Sequence, residues 1–173
     1  MKIRKATLAD VEAISRICSD GWRETYKDLH TQDHINMVIE EYYNLQRVQK
    51  DVTECSAAWS GYWVAEEDET VEGCIGGGID QDNNCHIYVF YVAPELKRRG
   101  IGTALLQAFT DYQIETYGIE WQWVTSVTEG NLLGLAFYEK QGFTFDFATE
   151  NSQDCQLPKN LHYKRKVKIQ ENL

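Results

Sequence analysis

Two stretches of the chain hold residues whose types and spacing could do chemistry. The first, 88–102, reads Tyr-Val-Phe-Tyr-Val-Ala-Pro-Glu-Leu-Lys-Arg-Arg-Gly-Ile-Gly. Its β-branched and aromatic run predicts a strand buried on both faces. Pro94 removes a backbone donor and stops the ladder. Lys97, Arg98 and Arg99 follow, then Gly100 and Gly102, and a helical pattern begins with Ile101, Leu105, Phe109 and Tyr112 on one face. Such a helix start offers unpaired backbone N–H groups and the positive end of a dipole. Glycines without a Cβ let a large anion come close to the backbone, so a phosphate or pyrophosphate is the natural guest.

Other phosphate sites fit less well. A dinucleotide fold wants a third small residue in G-x-G-x-x-G/A, and Leu105 stands there; Glu120 opens the next strand where the ribose-binding acid should close it. No G-K-[ST] tripeptide occurs, which excludes a Walker loop. A basic helix start after a tight turn is the plainer alternative. The second stretch, 131–143, weighs against it: Asn-Leu-Leu-Gly-Leu-Ala-Phe-Tyr-Glu-Lys-Gln-Gly-Phe.

Together the two stretches resemble the GNAT (Gcn5-related N-acetyltransferase) superfamily. Residues 92–102 match its V-x-P-x-x-[QR/K]-x-x-G-x-G loop, and residues 131–143 match N-x-x-[AG]-x-x-F-Y-x-x-x-G-F. Lys97 departs from the usual Gln or Arg, keeping charge but not a planar fork. The likeness is weakest between about Trp22 and Ser60.

The resemblance implies transfer of an acetyl group from acetyl-CoA to a primary amine, of a small molecule, a polyamine or a peptide. It implies that the pyrophosphate rests on the amides of Arg99, Gly100, Ile101, Gly102 and Thr103, with Lys97 and Arg98 beside it. The pantetheine arm would pair with the strand at Phe90, Tyr91 and Val92, and Asn131 would bond it through its amide, besides being a helix N-cap. An amide near Val92 would face the thioester oxygen. Tyr138 holds the position that faces the cofactor sulfur and would be the general acid, a phenol being a suitable donor to a thiolate. The early helical region would cover the acceptor pocket, making Trp22, Tyr26 and Tyr42 its candidate lining, together with Tyr88 of the central strand. Dimerisation, common in the family, makes a homodimer an expectation from the resemblance alone.

The general base is not legible. Tyr88 and Ser126 stand where relatives carry a glutamate. Glu24, Glu129 and a water chain remain, and none is assigned. A non-catalytic acyl-CoA-binding module is therefore the alternative to an enzyme.

The positioning elements follow from pattern. Lys2–Ala6 predicts a strand, Thr7 with Asp10 a capping box, and Val11, Ile14, Ile17 and Cys18 a helical face. Gly21 is expected to interrupt before a second stretch, 22–26. His30–Asp33 reads as a loop, and neither His30 nor His34 receives a role. A helix with Asp33 as cap then carries Ile35, Val38, Ile39, Tyr42 and Leu45. Residues 61–66 and 70–79 predict a hairpin with an acidic turn. Gly76, Gly77 and Gly78 mark a bulge or a substrate passing over the strand. A helix over 100–117 and a strand over 121–127 come next, the strand with Trp121, Trp123, Thr125 and Val127 on one face. The helix from Asn131 ends at Gly142, and strands 143–147 and 161–169 close the chain.

The expected fold is α/β (α+β): a GNAT-like mixed, mostly antiparallel sheet of about seven strands with helices on both faces, in one domain over 1–173. A net charge of −10 over 173 residues excludes nucleic acid and anionic membrane as general partners and leans toward a cationic acceptor. Five cysteines at irregular spacing form no C-x-x-C pair, which fits reduced thiols in a cytoplasmic protein and no metal site.

Overall fold

The computed structural model describes residues 1–96, 99–151 and 155–167. Strand β1 (Lys2–Lys5) leads to a single 3-10 turn over Leu8–Asp10. The Asp10 carboxylate reaches back to accept the Thr7 N–H at 2.7 Å, the reciprocal arm of the expected capping box. Arg4 grips the same carboxylate with two bonds, at 2.8 and 2.9 Å, and donates through Nε to Glu66 at 2.6 Å. These hydrogen bonds from Arg4 are the main cause that holds Asp10 below its ordinary value of 3.8. A depressed carboxylate contributes stability above its unfolded pKa and loses it as the pH falls through the folded one. Asp10→Asn is expected to lower the neutral-pH melting temperature and to flatten the acid-unfolding limb below about pH 4; an unchanged limb would sink this assignment.

Helix α1 (Val11–Tyr26) runs unbroken through Gly21, contrary to the expected interruption. A Cβ at Gly21 would sit 2.5 Å from the Tyr91 ring, so the glycine serves a close helix–sheet approach rather than a break. Helix α2 (Gln32–Tyr42) is capped by Thr31, which accepts from the His34 N–H at 3.2 Å, and not by Asp33. Leu45 lies outside α2: Asn44 caps a separate helix, α3 (Leu45–Thr53), by accepting from the Arg47 N–H at 2.8 Å.

The remaining elements are β2 (Tyr62–Glu67), β3 (Thr70–Ile79), β4 (Cys85–Val92), α4 (Ile101–Tyr117), β5 (Trp121–Thr128), α5 (Leu132–Lys140), β6 (Thr144–Thr149) and β7 (Asn160–Lys166). The end of the last expected strand, 168–169, lies outside the described residues. The seven strands form one sheet in the order β1-β2-β3-β4-β5-β7-β6. Only the β4–β5 pair is parallel. One face packs on α4 through Ile101, Leu105, Leu106 and Phe109; the other packs on α1 and α3 through Ile14, Ile17, Cys18, Val48 and Val64.

The sheet's irregularities decide where a site can form. Gly76 opposes Val89 and Gly77 opposes Ile87, so Tyr88 is an extra residue bulged out of β4. On β5, Ser126 has φ +64° and the register against β7 shifts between Val124 and Val127. That bulge puts Val127 on the buried side, away from the face of Trp123 and Thr125, where alternation alone places it. The pairing of β4 with β5 covers only Cys85–Ile87 against Gln122–Val124. Beyond it the strands part. The expectation that β4 is buried on both faces is therefore wrong past Ile87: Tyr88 is 49% exposed.

Gly76, Gly77 and Gly78 mark both a bulge and a close approach, but the approaching group is the chain itself. A Cβ at Gly78 would lie 2.1 Å from the Ala58 carbonyl, and one at Gly77 2.0 Å from that of His86. The 57–60 segment pairs with β3 through Ser60 N–H to Gly77 O and Ile79 N–H to Ala57 O, both at 2.8 Å.

Candidate active site

Parting of β4 from β5 leaves half of the β4 backbone groups facing a gap. The Ala93 N–H donates to Glu72 O at 2.8 Å, which sets the alternation along this antiparallel pair. Tyr91 and Val89 direct their polar backbone groups at β3. Phe90 and Val92 direct theirs into the gap, where β5 offers no partner. An extended ligand could add there as a strand. On the α4 face, Phe90 stacks on Phe137 at 5.5 Å between centroids, whereas Tyr91 points to the α1 face beside Gly21.

At the lower end of the gap, α4 begins. Gly100 is its N-cap at φ +81°, a left-handed geometry natural to glycine, and nothing lies within 4 Å of where its Cβ would be. The first-turn amides of Ile101, Gly102 and Thr103 have no acceptor within the helix. At Gly102 a Cβ would only touch Phe137 and Phe90, at 3.4–3.6 Å. Thr103 Oγ1 accepts from Gln141 Nε2 at 3.2 Å, tying α4 to α5. Arg99 is exposed, with Glu67 at 4.0 Å. Lys97 and Arg98 lie outside the described residues.

Asn131 caps α5, its Oδ1 accepting from the Gly134 N–H at 3.0 Å. A Cβ at Gly134 would strike the Asn131 amide at 2.6 Å, which explains the small residue three positions on. Tyr26, 6% exposed, lies beside Thr128, Tyr91 and Asn131, and burial raises its phenol, an effect that these polar neighbours only partly oppose. Tyr138 lies on α5 among Phe90, Phe137 and Phe143, with centroids 5.4–6.2 Å apart. Its phenol is pushed well up by burial and then by the nearby Tyr26. It stays protonated at neutral pH and has a proton to give.

On the α1 face of the fork a cavity of about 690 Å³ opens. Trp22, Tyr42, Trp59 and Tyr88 supply aromatic walls, Asp51 and Glu54 acidic groups, and Thr125 and Ser126 the floor at the fork. Tyr26 lies beneath it against Trp22, 4.1 Å between centroids. Burial raises the Asp51 carboxyl while Arg47, bonded through Nε at 3.0 Å, opposes the rise. His30 and His34, which received no role above, also line the cavity, their ring centroids 4.5 Å apart and the planes tilted by 33°. Of the residues considered as bases, Glu24 pairs with Lys27 on an exposed helix face, and Glu129 is exposed and accepts from the Lys159 N–H at 3.4 Å.

Sequence reasoning missed a polar chain at the fork. His86 Nε2 lies 2.7 Å from Asp80 Oδ2, and its Nδ1 lies 3.2 Å from Thr125 Oγ1. Asp80 is set by its turn: Oδ1 accepts the N–H groups of Asp82 and Asn84 at 2.9 and 3.0 Å, which turns Oδ2 toward His86. The residue types of Asp80–Asn84 suit a turn, but nothing local in them records the reach to His86. Among the described residues, no group of three or more His, Cys, Asp or Glu is placed to hold a metal ion. None of the described helices is long and apolar enough to cross a membrane.

The model of the Acetyltransferase (GNAT) family matches residues 15–143 of this chain. The spermidine N(1)-acetyltransferase of Thermoplasma acidophilum is 24% identical over 144 residues, 83% of this chain and 88% of that protein. An uncharacterized N-acetyltransferase of Methanocaldococcus jannaschii is 36% identical over 89 residues, 49% of this chain and 56% of its own length. The crystal structure of the PaiA N-acetyltransferase of T. acidophilum in complex with coenzyme A superposes with a TM-score of 0.82 at 23% identity, covering 96% of this chain and 98% of that one.

Proposed function

Because the chain belongs to the GNAT acetyltransferase family and is an acyltransferase with acetyl-CoA as donor, we propose that it acetylates a primary amine on a cationic small molecule of the polyamine kind. The observation that carries the reading is the cavity at the strand fork, with aromatic walls and the carboxylates Asp51 and Glu54. Aromatic faces and carboxylates suit an alkyl chain bearing ammonium groups. The acetyltransferase of T. acidophilum named for spermidine adds support.

Acetyl-CoA would supply an activated acetyl thioester. The first-turn amides of α4 with Arg99 would hold its pyrophosphate, as would Lys97 and Arg98. The backbone of Phe90 and Val92 and the Asn131 amide would hold the pantetheine arm, with Tyr91 backing that strand from α1. Trp22, Tyr42 and Tyr88 would hold the acceptor over Tyr26. Tyr138 would give its proton to the leaving sulfur. Burial raises the phenol, but it raises the proton affinity of a thiolate in the same place too, so the transfer is not placed uphill. The whole of 1–173 would act as one such domain in the cytoplasm, where the cysteines, all free among the described residues, would stay reduced.

Thiol release measured with spermidine, putrescine, a neutral-headed monoamine and a peptide N-terminus tests the acceptor class. Turnover per KM is expected to favour the polyamines by roughly tenfold or more, the equivalent of one charged contact near 1.4 kcal/mol. Equal rates across charge would refute the polyamine reading. Acetyl-CoA binding without turnover on any amine would favour a non-catalytic acyl-CoA-binding module.

A further inference from the structure

We propose that Thr125, His86 and Asp80 form a relay that removes the proton of the acceptor ammonium at the strand fork, since Tyr88 and Ser126 stand at the two positions where a glutamate was expected for that role. This deepens the acetyltransferase reading and rests on it. Thr125 is the first β5 residue past the last β4–β5 pair and lines the cavity beside Tyr88, so its hydroxyl stands where an amine enters the fork. The chain of contacts has one sense. Ionised Asp80 can only accept, so His86 Nε2 carries the hydrogen in the 2.7 Å bond. That leaves Nδ1 as the acceptor of the Thr125 hydroxyl proton at 3.2 Å. A hydroxyl that donates to Nδ1 still has lone pairs to accept with, and Thr125 lines the cavity. The imidazole is clamped flat, parallel to Tyr88 on its own strand (7°) and to Trp123 on β5 (19°).

The charged and titratable groups around the ring are these. Asp80 comes from the preceding turn and Tyr88 from β4. His162 on β7 is close enough that His86 acts on its titration. Beyond Trp123 lie Asp146 on β6, accepting from the indole at 2.9 Å, and Lys164 on β7, 3.2 Å from Asp146. Asp80 alone is in direct contact with the ring as a full charge, 2.7 Å from Nε2.

Each proton is accounted for. The ammonium N–H bond breaks toward Thr125 Oγ1 as the Thr125 hydroxyl proton moves to His86 Nδ1. The imidazolium, held by Asp80, later returns that proton to solvent. The freed amine forms the C–N bond while the C–S bond breaks. The second nitrogen proton is lost to solvent as Tyr138 gives its own to the sulfur, and the phenolate takes one back from solvent. Thr125 is the catalytic group that touches the amine; His86 and Asp80 are positioning residues that act through it.

The test is the pH profile of kcat at saturating spermidine and acetyl-CoA. The wild-type limb is expected to lie below the ionisation of the amine itself. In His86→Gln it moves toward the ionisation of the amine itself, and kcat at pH 7 falls about 10²-fold but recovers at high pH. Thr125→Val does the same, and Thr125→Ser restores the limb. If His86→Gln fails to fold, the Thr125 pair decides the matter alone. A limb and rate kept by His86→Gln or Thr125→Val in an active enzyme overturn the relay only. A wild type that acetylates no amine, while acetyl-CoA still raises its Tm, overturns the transferase reading and the relay with it.

Discussion

Tyr138→Phe is expected to lower kcat by about 10²- to 10⁴-fold, the range for losing a positioned proton donor. The Kd for acetyl-CoA should stay within about twofold, because the contacts proposed for the cofactor come from α4, β4 and Asn131. The fold should tolerate the change. Tyr138 is 8% exposed and ringed by Phe90, Phe137 and Phe143, and a phenylalanine fills the same space. Burial pushes this phenol up, so its proton is present throughout the neutral range, and it should produce no descending limb below about pH 10. Steady-state kinetics beside a binding titration check both halves. A loss in kcat smaller than about threefold would remove Tyr138 from the chemistry.

Gly102→Asp is expected to raise the Kd for acetyl-CoA by about 100-fold or more and to abolish the Tm rise that acetyl-CoA gives the wild type. The apo protein should melt no lower than the wild type. An aspartate in the first turn of α4 meets the positive end of the helix dipole, which favours it by about 0.3–1 kcal/mol. Space is not the obstacle, since a Cβ there meets ring carbons no nearer than 3.4 Å. The two signs are therefore opposite: the same carboxylate that suits the helix repels a diphosphate. Gly102→Ala separates bulk from charge and should lose far less. A Kd for Gly102→Asp within about threefold of wild type would mean that the pyrophosphate rests elsewhere.

The seven-stranded sheet was legible because strand and helix periods are written locally. Residues 70–79 and 85–92 read as strands, and 101–117 as a helix with Ile101, Leu105 and Phe109 on its buried face. The errors have a common cause. Gly21 looks like a breaker until Tyr91, seventy residues on, is seen against it. Val127 alternates with Trp123 on paper, but Ser126 at φ +64° reverses it. Tyr43 and Asn44 look like the continuation of one helix, although Asn44 side-chain bonds close α2 and open α3.

The candidate site divides along the same line. Asn131, Tyr138 and the Gly100–Thr103 amides belong to contiguous motifs, and short-range geometry is enough to identify them. The amino-acid order by itself determined the family, the glycine-flanked helix start at Gly100 and the helix that carries Tyr138. Only the tertiary structure decided that β4 and β5 part after three pairs, that the 690 Å³ cavity lies on the α1 face, and that Asp80 and His86 line up behind Thr125, which borders it. Motif chemistry is carried by residues a few positions apart on one element, whereas the fork arises from two bulges on strands some 38 residues apart, Tyr88 and Ser126, whose alignment no local pattern records.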